Sequence, residues 1–173
     1  MEIERKYIVM GESWREKVTS SWRIQQGYLC DDPQRCVRVR LRMPADASLD
    51  EAEAFITIKS ESDDGGLSRQ EYEYSIPPID ASRMMRLCRH HIIHKIRHII
   101  PVTLTLPEEG RTVDGKIEVD EFLDDNKGLI LAEVELPDTK ATFGKPDFLA
   151  DEVTGVDRYY NLYLARNPYS SWF

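Results

Sequence analysis

Glu2, Glu4 and Lys6 stand two residues apart at the start of the chain, so an extended strand projects all three charges from one face. The alternate residues Ile3, Arg5, Tyr7 and Val9 are mostly ones suited to a core. Short carboxylates beside an ammonium can hold a divalent cation and a polyanion at once. The same charge plan recurs along the sequence. Arg38 and Arg40 flank Val39, Lys59 follows Ile58, and Glu71 and Glu73 flank Tyr72. Lys95 and Arg97 flank Ile96, Glu118 and Asp120 flank Val119, and Glu133 and Glu135 flank Val134. One such doublet is what any wetted strand face shows. Repeated in segment after segment with both signs, it fits a closed barrel with a charged lumen and an apolar wall turned outward against helices.

The elements that must position these groups follow from turn chemistry. Strands are predicted near 2–9, 22–30, 35–43, 53–60, 68–76, 92–105, 115–123 and 129–136. They are separated by tight-turn runs such as Asp31-Asp32-Pro33, Asp63-Asp64-Gly65-Gly66 and Asp124-Asp125-Asn126. Short links imply antiparallel neighbours. The expected fold is α+β: an eight-stranded antiparallel closed β-barrel with flanking helices. Those helices are expected after Ser13, from Asp80 to about His90, and after Pro146 with Tyr159, Leu162 and Tyr163 on one stripe. Residues 107–115 read as irregular.

Composition limits the function classes. A chain of 173 residues with 41% hydrophobic and 31% charged residues suits one globular domain over 1–173, with the last few residues as a tail. The net charge of -8 and a pI near 5.1 disfavour a nucleic-acid or anionic-membrane partner, since such binding needs clustered exposed Lys and Arg. The start is too acidic for a leader, and no apolar run approaches a membrane span. A cytoplasmic location is expected. Cys30, Cys36 and Cys88 have no zinc or disulfide spacing and read as reduced structural thiols.

Several strings together resemble one family. They are Glu-Ile-Glu-Arg-Lys at 2–6, Gln-Gly-Tyr-Leu at 26–29, Arg-Val-Arg at 38–40, Thr-Ile-Lys-Ser-Glu at 57–61 and Gly-Leu-Ser-Arg-Gln-Glu-Tyr-Glu at 66–73. Lys-Ile-Arg at 95–97, Ile-Glu-Val-Asp at 117–120, Ala-Glu-Val-Glu at 132–135 and Asp-Arg-Tyr at 157–159 follow in order. The chain resembles the CYTH superfamily, the triphosphate tunnel metalloenzymes, from residue 1 to about 166. The resemblance implies an eight-stranded tunnel whose interior binds a triphosphate and a divalent metal, Mg2+ or Mn2+. It also points to hydrolysis of inorganic tripolyphosphate to diphosphate and phosphate. A class IV-type adenylate cyclase, a thiamine or nucleoside triphosphatase, and a non-catalytic polyphosphate-binding module are the alternatives.

A triphosphate needs forked guanidinium donors and mobile ammonium charges on several sides. Lys6, Arg38, Arg40, Lys59, Lys95 and Arg97 are the candidates for that cage, and Arg158 joins them through the family's Asp-Arg-Tyr string. By resemblance, Glu2, Glu4, Asp120, Glu133 and Glu135 are the metal face. Lys95 is the candidate for proton transfer or for stabilising the reacting phosphoryl group, with Lys6 beside it. Glu71 and Glu73 either orient the cations through salt bridges or touch metal or water. Arg42 and Arg69 read as rim residues. Tyr28 either gates one tunnel end or simply packs. His90, His94 and His98 recur at helical zinc spacing, but the segment reads as strand. His94 and His98 then face outward, towards a helix, a wet patch or an oligomer surface such as a homodimer.

Overall fold

The computed structural model describes residues 1–173, the side chain of residue 49 excepted. Its strands are β1 (Glu2–Val9), β2 (Ser20–Cys30), β3 (Arg35–Pro44), β4 (Glu53–Ser60), β5 (Ser68–Arg69) and β6 (Glu71–Ile76). They continue with β7 (Ile93–Leu106), β8 (Arg111–Phe122), β9 (Ile130–Glu135), β10 (Thr142–Phe143) and β11 (Leu149–Glu152). The α-helices are α1 (Pro78–Met84) and α2 (Asn161–Arg166). The main path of the sheet runs β11-β1-β9-β8-β7-β2-β3-β4-β6, with β10 on β7 and β5 on β1. The pairings are antiparallel.

The expected closed eight-stranded barrel is not formed. The 11-stranded sheet is an open path, because the predicted strand over 68–76 breaks at Gln70. β5 makes only the rungs Glu2↔Arg69 and Ile3↔Ser68 with β1, while β6 turns to pair with β4.

Other expectations also shift. The turn after Lys17 follows a 3-10 stretch, Ser13–Lys17, rather than an α-helix capped by Ser13. The helix expected from Asp80 starts two residues earlier, at Pro78, since a proline at the first helical position forfeits no hydrogen bond. It ends at Met84 and continues only as a tight turn to Leu87. The segment after Pro146 is first β11 against β1, then a 3-10 turn at Asp157–Tyr159, and becomes α-helical only at Asn161. Residues 107–110 are a turn, and Arg111 already pairs with Leu106.

Strand alternation separates two faces. On the apolar side, Tyr7, Ile100, Leu104, Ile117, Val119, Ala132 and Val134 pack with Trp14, Phe148 and Leu149 in the main core. Val39 and Ala54 are covered by Ala81 and Met85 of the α1 region. The opposite face carries the charged doublets. One end of that face turns apolar, where Tyr28, Ile93, Phe122 and Leu131 meet Leu164 and Ala165 of α2. The helix therefore plugs one end of the charged face by ordinary hydrophobic burial. The terminal Tyr169 and Trp172 join the same cluster, so the tail packs back on the fold.

Candidate active site

A cavity of about 730 Å³ lies on the charged face. Its walls include Glu2, Glu4 and Lys6 from β1, Tyr28 from β2, Arg38 and Arg40 from β3, and Lys59 from β4. Glu71 and Glu73 from β6, Lys95 and Arg97 from β7, and Glu133 and Glu135 from β9 are on the same walls. Arg42 and Arg69 also line it. Residues two apart on neighbouring strands converge because register places Glu4 opposite Glu135, Lys6 opposite Glu133, and Glu133 opposite Glu118.

Two expected residues are placed elsewhere. Asp120 does not line the cavity. It is 2% exposed, and its oxygens accept from Lys95 Nζ at 2.8 Å, Arg97 Nε at 2.8 Å and Arg97 Nη2 at 2.9 Å. Its oxygens are thus directed at those two cations. Arg158 lies over Trp172, 4.5 Å from the ring centroid, and over Tyr159. Cation–π stacking on the C-terminal aromatics takes it away from the cavity.

The acidic wall is crowded. Burial raises the Glu4 carboxyl well above its usual range, and the charges of Glu133 and Glu2 push the same way. Glu135 is raised too, by burial and then by Glu2 and Glu118. Burial opposes the charge on Glu133, yet Lys6 and Arg97 hold it well below the usual value. Lys6 Nζ lies 3.0 Å from Glu133. Lys59 Nζ stands between Glu2 at 2.9 Å and Glu71 at 3.5 Å. Burial and a hydrogen bond to Glu2 bring Glu71 up to about 7, whereas Glu2, against its own burial, is held at about 2 by Glu71 and Lys59. Glu73 is more exposed and accepts from Thr57 Oγ1 at 3.0 Å, which in turn accepts from Arg38 Nη2 at 3.2 Å.

The basic wall is equally unusual. Burial, then Arg38 and Arg97, lower Arg40 to about 9. Burial lowers Lys95 to about 7 despite the opposing pull of Asp120. Arg97 is buried as well, but Asp120 and Glu118 keep it firmly charged. Arg38 Nε is buried without a hydrogen-bond partner among the described residues, as is Glu71 Oε2. A buried donor of that kind on a cavity wall is costly unless an acceptor arrives.

The sequence assigned no site role to three further wall residues, Glu118, Tyr160 and Asn161, nor to Gln26 behind the wall. Glu118, read from the sequence only as half of the doublet with Asp120, pairs with Arg97 Nη1 at 2.9 Å. Gln26 shares the face of Tyr28 by the same alternation, is 0% exposed, and accepts from Arg40 Nε at 2.8 Å. Tyr160 and Asn161 also line the cavity, and nothing in their local pattern announces them. The Tyr160 ring lies 4.4 Å beneath Lys6 Nζ. Its hydroxyl accepts from Gly155 N at 2.9 Å. A side chain at Gly155, where φ is +79°, would place Cβ 2.0 Å from the Gly65 carbonyl oxygen. Two glycine turns therefore meet backbone to backbone at this wall.

Tyr28 is buried, lines the cavity, and has its hydroxyl proton retained by burial. The histidines pair with separate carboxylates: His90 with Asp31, His91 with Asp125, His94 with Asp124 and His98 with Glu121. His94 and His98 lie on β7, as the strand reading requires. Among the described residues no group of three His, Cys, Asp or Glu side chains is gathered as a ready metal cage.

Removing Asp120 should be among the most damaging changes to stability. Asp120→Ala leaves Lys95 and Arg97 buried without their shared carboxylate, an expected loss of roughly 3–5 kcal/mol, read as a lower urea midpoint. An unchanged midpoint would show that the ion pairs are not native-state contacts. Burial raises the Asp120 pKa, but Arg97 and Lys95 outweigh it and bring it from 3.8 down to about 2. The stabilisation is thus present above pH 3.8 and is lost as pH falls towards 2.

Comparison with known proteins adds to this geometry. Residues 1–160 match the CYTH domain model. Over 172 residues the chain is 39% identical to an inorganic triphosphatase of Acetivibrio thermocellus, covering 99% of this chain and 97% of that protein. It is 32% identical over 167 residues to an inorganic triphosphatase of Nitrosomonas europaea, covering 95% and 96%. A crystal structure of an inorganic triphosphatase is similar at a TM-score of 0.55 with 28% identity, covering 95% of this chain and 94% of that one.

Proposed function

The chain belongs to the CYTH domain family, and from that premise we propose that it hydrolyses inorganic triphosphate to diphosphate and phosphate with the help of a divalent cation. The observation that carries the proposal is the pair of opposed walls in one cavity. Glu2, Glu4, Glu133 and Glu135 stand on β1 and β9, while Arg38, Arg40, Lys95 and Arg97 stand on β3 and β7. Carboxylates directly opposite one another in a sheet repel. The Glu4–Glu135 pair and the raised Glu4 carboxyl therefore fit a site that takes up positive charge.

Mg2+ or Mn2+ suits this donor set, since such ions use a few carboxylates and complete their shells with water and phosphate oxygens. Glu2, Glu4, Glu133 and Glu135 would hold it, and it would supply charge neutralisation to the phosphates. Arg38, Arg40 and Arg97 bind the triphosphate oxygens, with Arg38 Nε gaining the acceptor it lacks. Lys6 and Lys59 stand among the carboxylates and bridge the two charge sets. Lys95 takes the proton of the attacking water. Water adds to a terminal phosphorus, the bridging P–O bond breaks, and diphosphate leaves with the electron pair. Asp120 orients Lys95 and Arg97 without touching substrate. Glu71 and Glu73 hold Lys59 and Arg38 in place.

No helix is long and apolar enough to cross a membrane. A cytoplasmic setting is part of the proposal, supported by Cys30, Cys36 and Cys88 remaining free thiols. The test is a parallel assay of tripolyphosphate, ATP and thiamine triphosphate with Mg2+ and with Mn2+, resolving phosphate, diphosphate and cyclic AMP. Tripolyphosphate should be the preferred substrate. Cyclic AMP as the main product would replace this reading by a cyclase, and binding without turnover by a polyphosphate-binding module.

A further inference from the structure

A guanidinium at one end of a hydrogen-bond chain fixes how the amides along it face. Arg40 Nε donates to Gln26 Oε1 at 2.8 Å, and a guanidinium has no acceptor to offer. Gln26 must then present its amide nitrogen to Asn161, donating to Oδ1 at 3.1 Å. The same oxygen accepts from Lys95 Nζ at 3.0 Å. With Oδ1 occupied twice, the Asn161 amide nitrogen is turned away from the chain. It makes no hydrogen bond among the described residues. Nor is it one of the buried side-chain atoms left without a partner, which are Arg38 Nε and Glu71 Oε2. Asn161 lines the cavity, so its two amide N–H bonds are left to donate to a ligand bound there.

We propose that Asn161 is a substrate-binding residue, its amide nitrogen donating to a non-bridging phosphate oxygen next to Lys95. The inference rests on the triphosphate reading above. Arg38, Arg40, Lys95 and Arg97 already crowd one wall, and a neutral donor adds a contact to the anion without adding like charge. Because Asn161 opens α2, the helix that plugs this end of the charged face contributes directly to the ligand's cradle.

The test compares Asn161→Ala with Asn161→Asp, both assayed with inorganic triphosphate. The aspartate variant keeps an oxygen for Gln26 and Lys95 but has no N–H. A hydrogen bond to a charged group corresponds to roughly 10- to 100-fold in binding, so KM should rise by about that factor in both variants. Return of the wild-type KM in Asn161→Asp would mean that only the carbonyl matters, and would overturn the proposal. Since the added carboxylate also repels phosphate, a second readout is needed. The Asn161 side-chain amide resonance, assigned by its loss from the Asn161→Asp spectrum, should move when wild-type protein is saturated with triphosphate. A stationary resonance in protein that hydrolyses triphosphate overturns the inference alone. A shifted resonance without hydrolysis supports the contact and removes the catalytic reading instead.

Discussion

Lys95→Ala should lower kcat by roughly 10²–10⁴-fold, the usual worth of a positioned proton-transfer group, and Lys95→Arg should not restore it. Lys95 is 1% exposed, and burial brings its pKa to about 7, with Arg97 and Arg40 adding to the shift. Among the cavity's basic groups this makes it the one suited to give and take a proton near neutrality. An arginine keeps the charge and cannot act as a base. The arginine variant should therefore still bind triphosphate in calorimetry while failing to turn it over. The free amine exists only above its pKa, so wild-type kcat/KM should rise as pH climbs through about 7 and then level off. Near-normal turnover by Lys95→Arg, or a profile falling across that range, would show that positive charge alone is what Lys95 supplies.

Chelating divalent cations should abolish turnover, and Glu4→Gln should raise the metal concentration for half-maximal activity by roughly 10- to 100-fold or more. Glu4 faces Glu135 across the ladder and lies beside Glu133. Burial, and then the charges of Glu133 and Glu2, raise the Glu4 carboxyl in the free protein, and a cation taking the carboxylate lone pairs would offset both. Replacing one oxygen by an amide nitrogen removes a ligand and leaves the neighbouring ion pair of Lys6 with Glu133 in place. Stability should therefore change little. Activity persisting in excess chelator would contradict the metal requirement. An unaltered metal titration in Glu4→Gln would remove that residue from the metal face.

The two-residue spacing of charges is a local property, and it made most of the site readable before any coordinates. β1, β3, β4, β7 and β9 fall close to their predicted spans, and Glu4, Arg40, Lys95 and Glu133 reach one cavity from strands far apart in sequence. Closure is not local. The break at Gln70, which leaves β5 on β1 and sends β6 to β4, depends on how two sheet edges meet. Alternation alone could not distinguish an open trough from a barrel. The same limit explains Asp120, whose spacing from Glu118 gives the correct face but not the cations that close over it. Arg158 was drawn from a family string, whereas its position is decided by Trp172 at the far end of the chain. Asn161 has no neighbouring pattern at all, because its place over Lys95 is set by the burial of Leu164 and Ala165.

The most direct measurement is a crystal structure of the protein soaked with Mn2+ and a slowly hydrolysed triphosphate analogue, with anomalous scattering collected at the manganese edge. The manganese peak should lie among Glu2, Glu4, Glu133 and Glu135, with the phosphate chain reaching from it to Arg38, Arg40 and Arg97. Manganese bound away from those carboxylates, or phosphates resting outside the cavity, would mean that the opposed charged walls serve some other purpose.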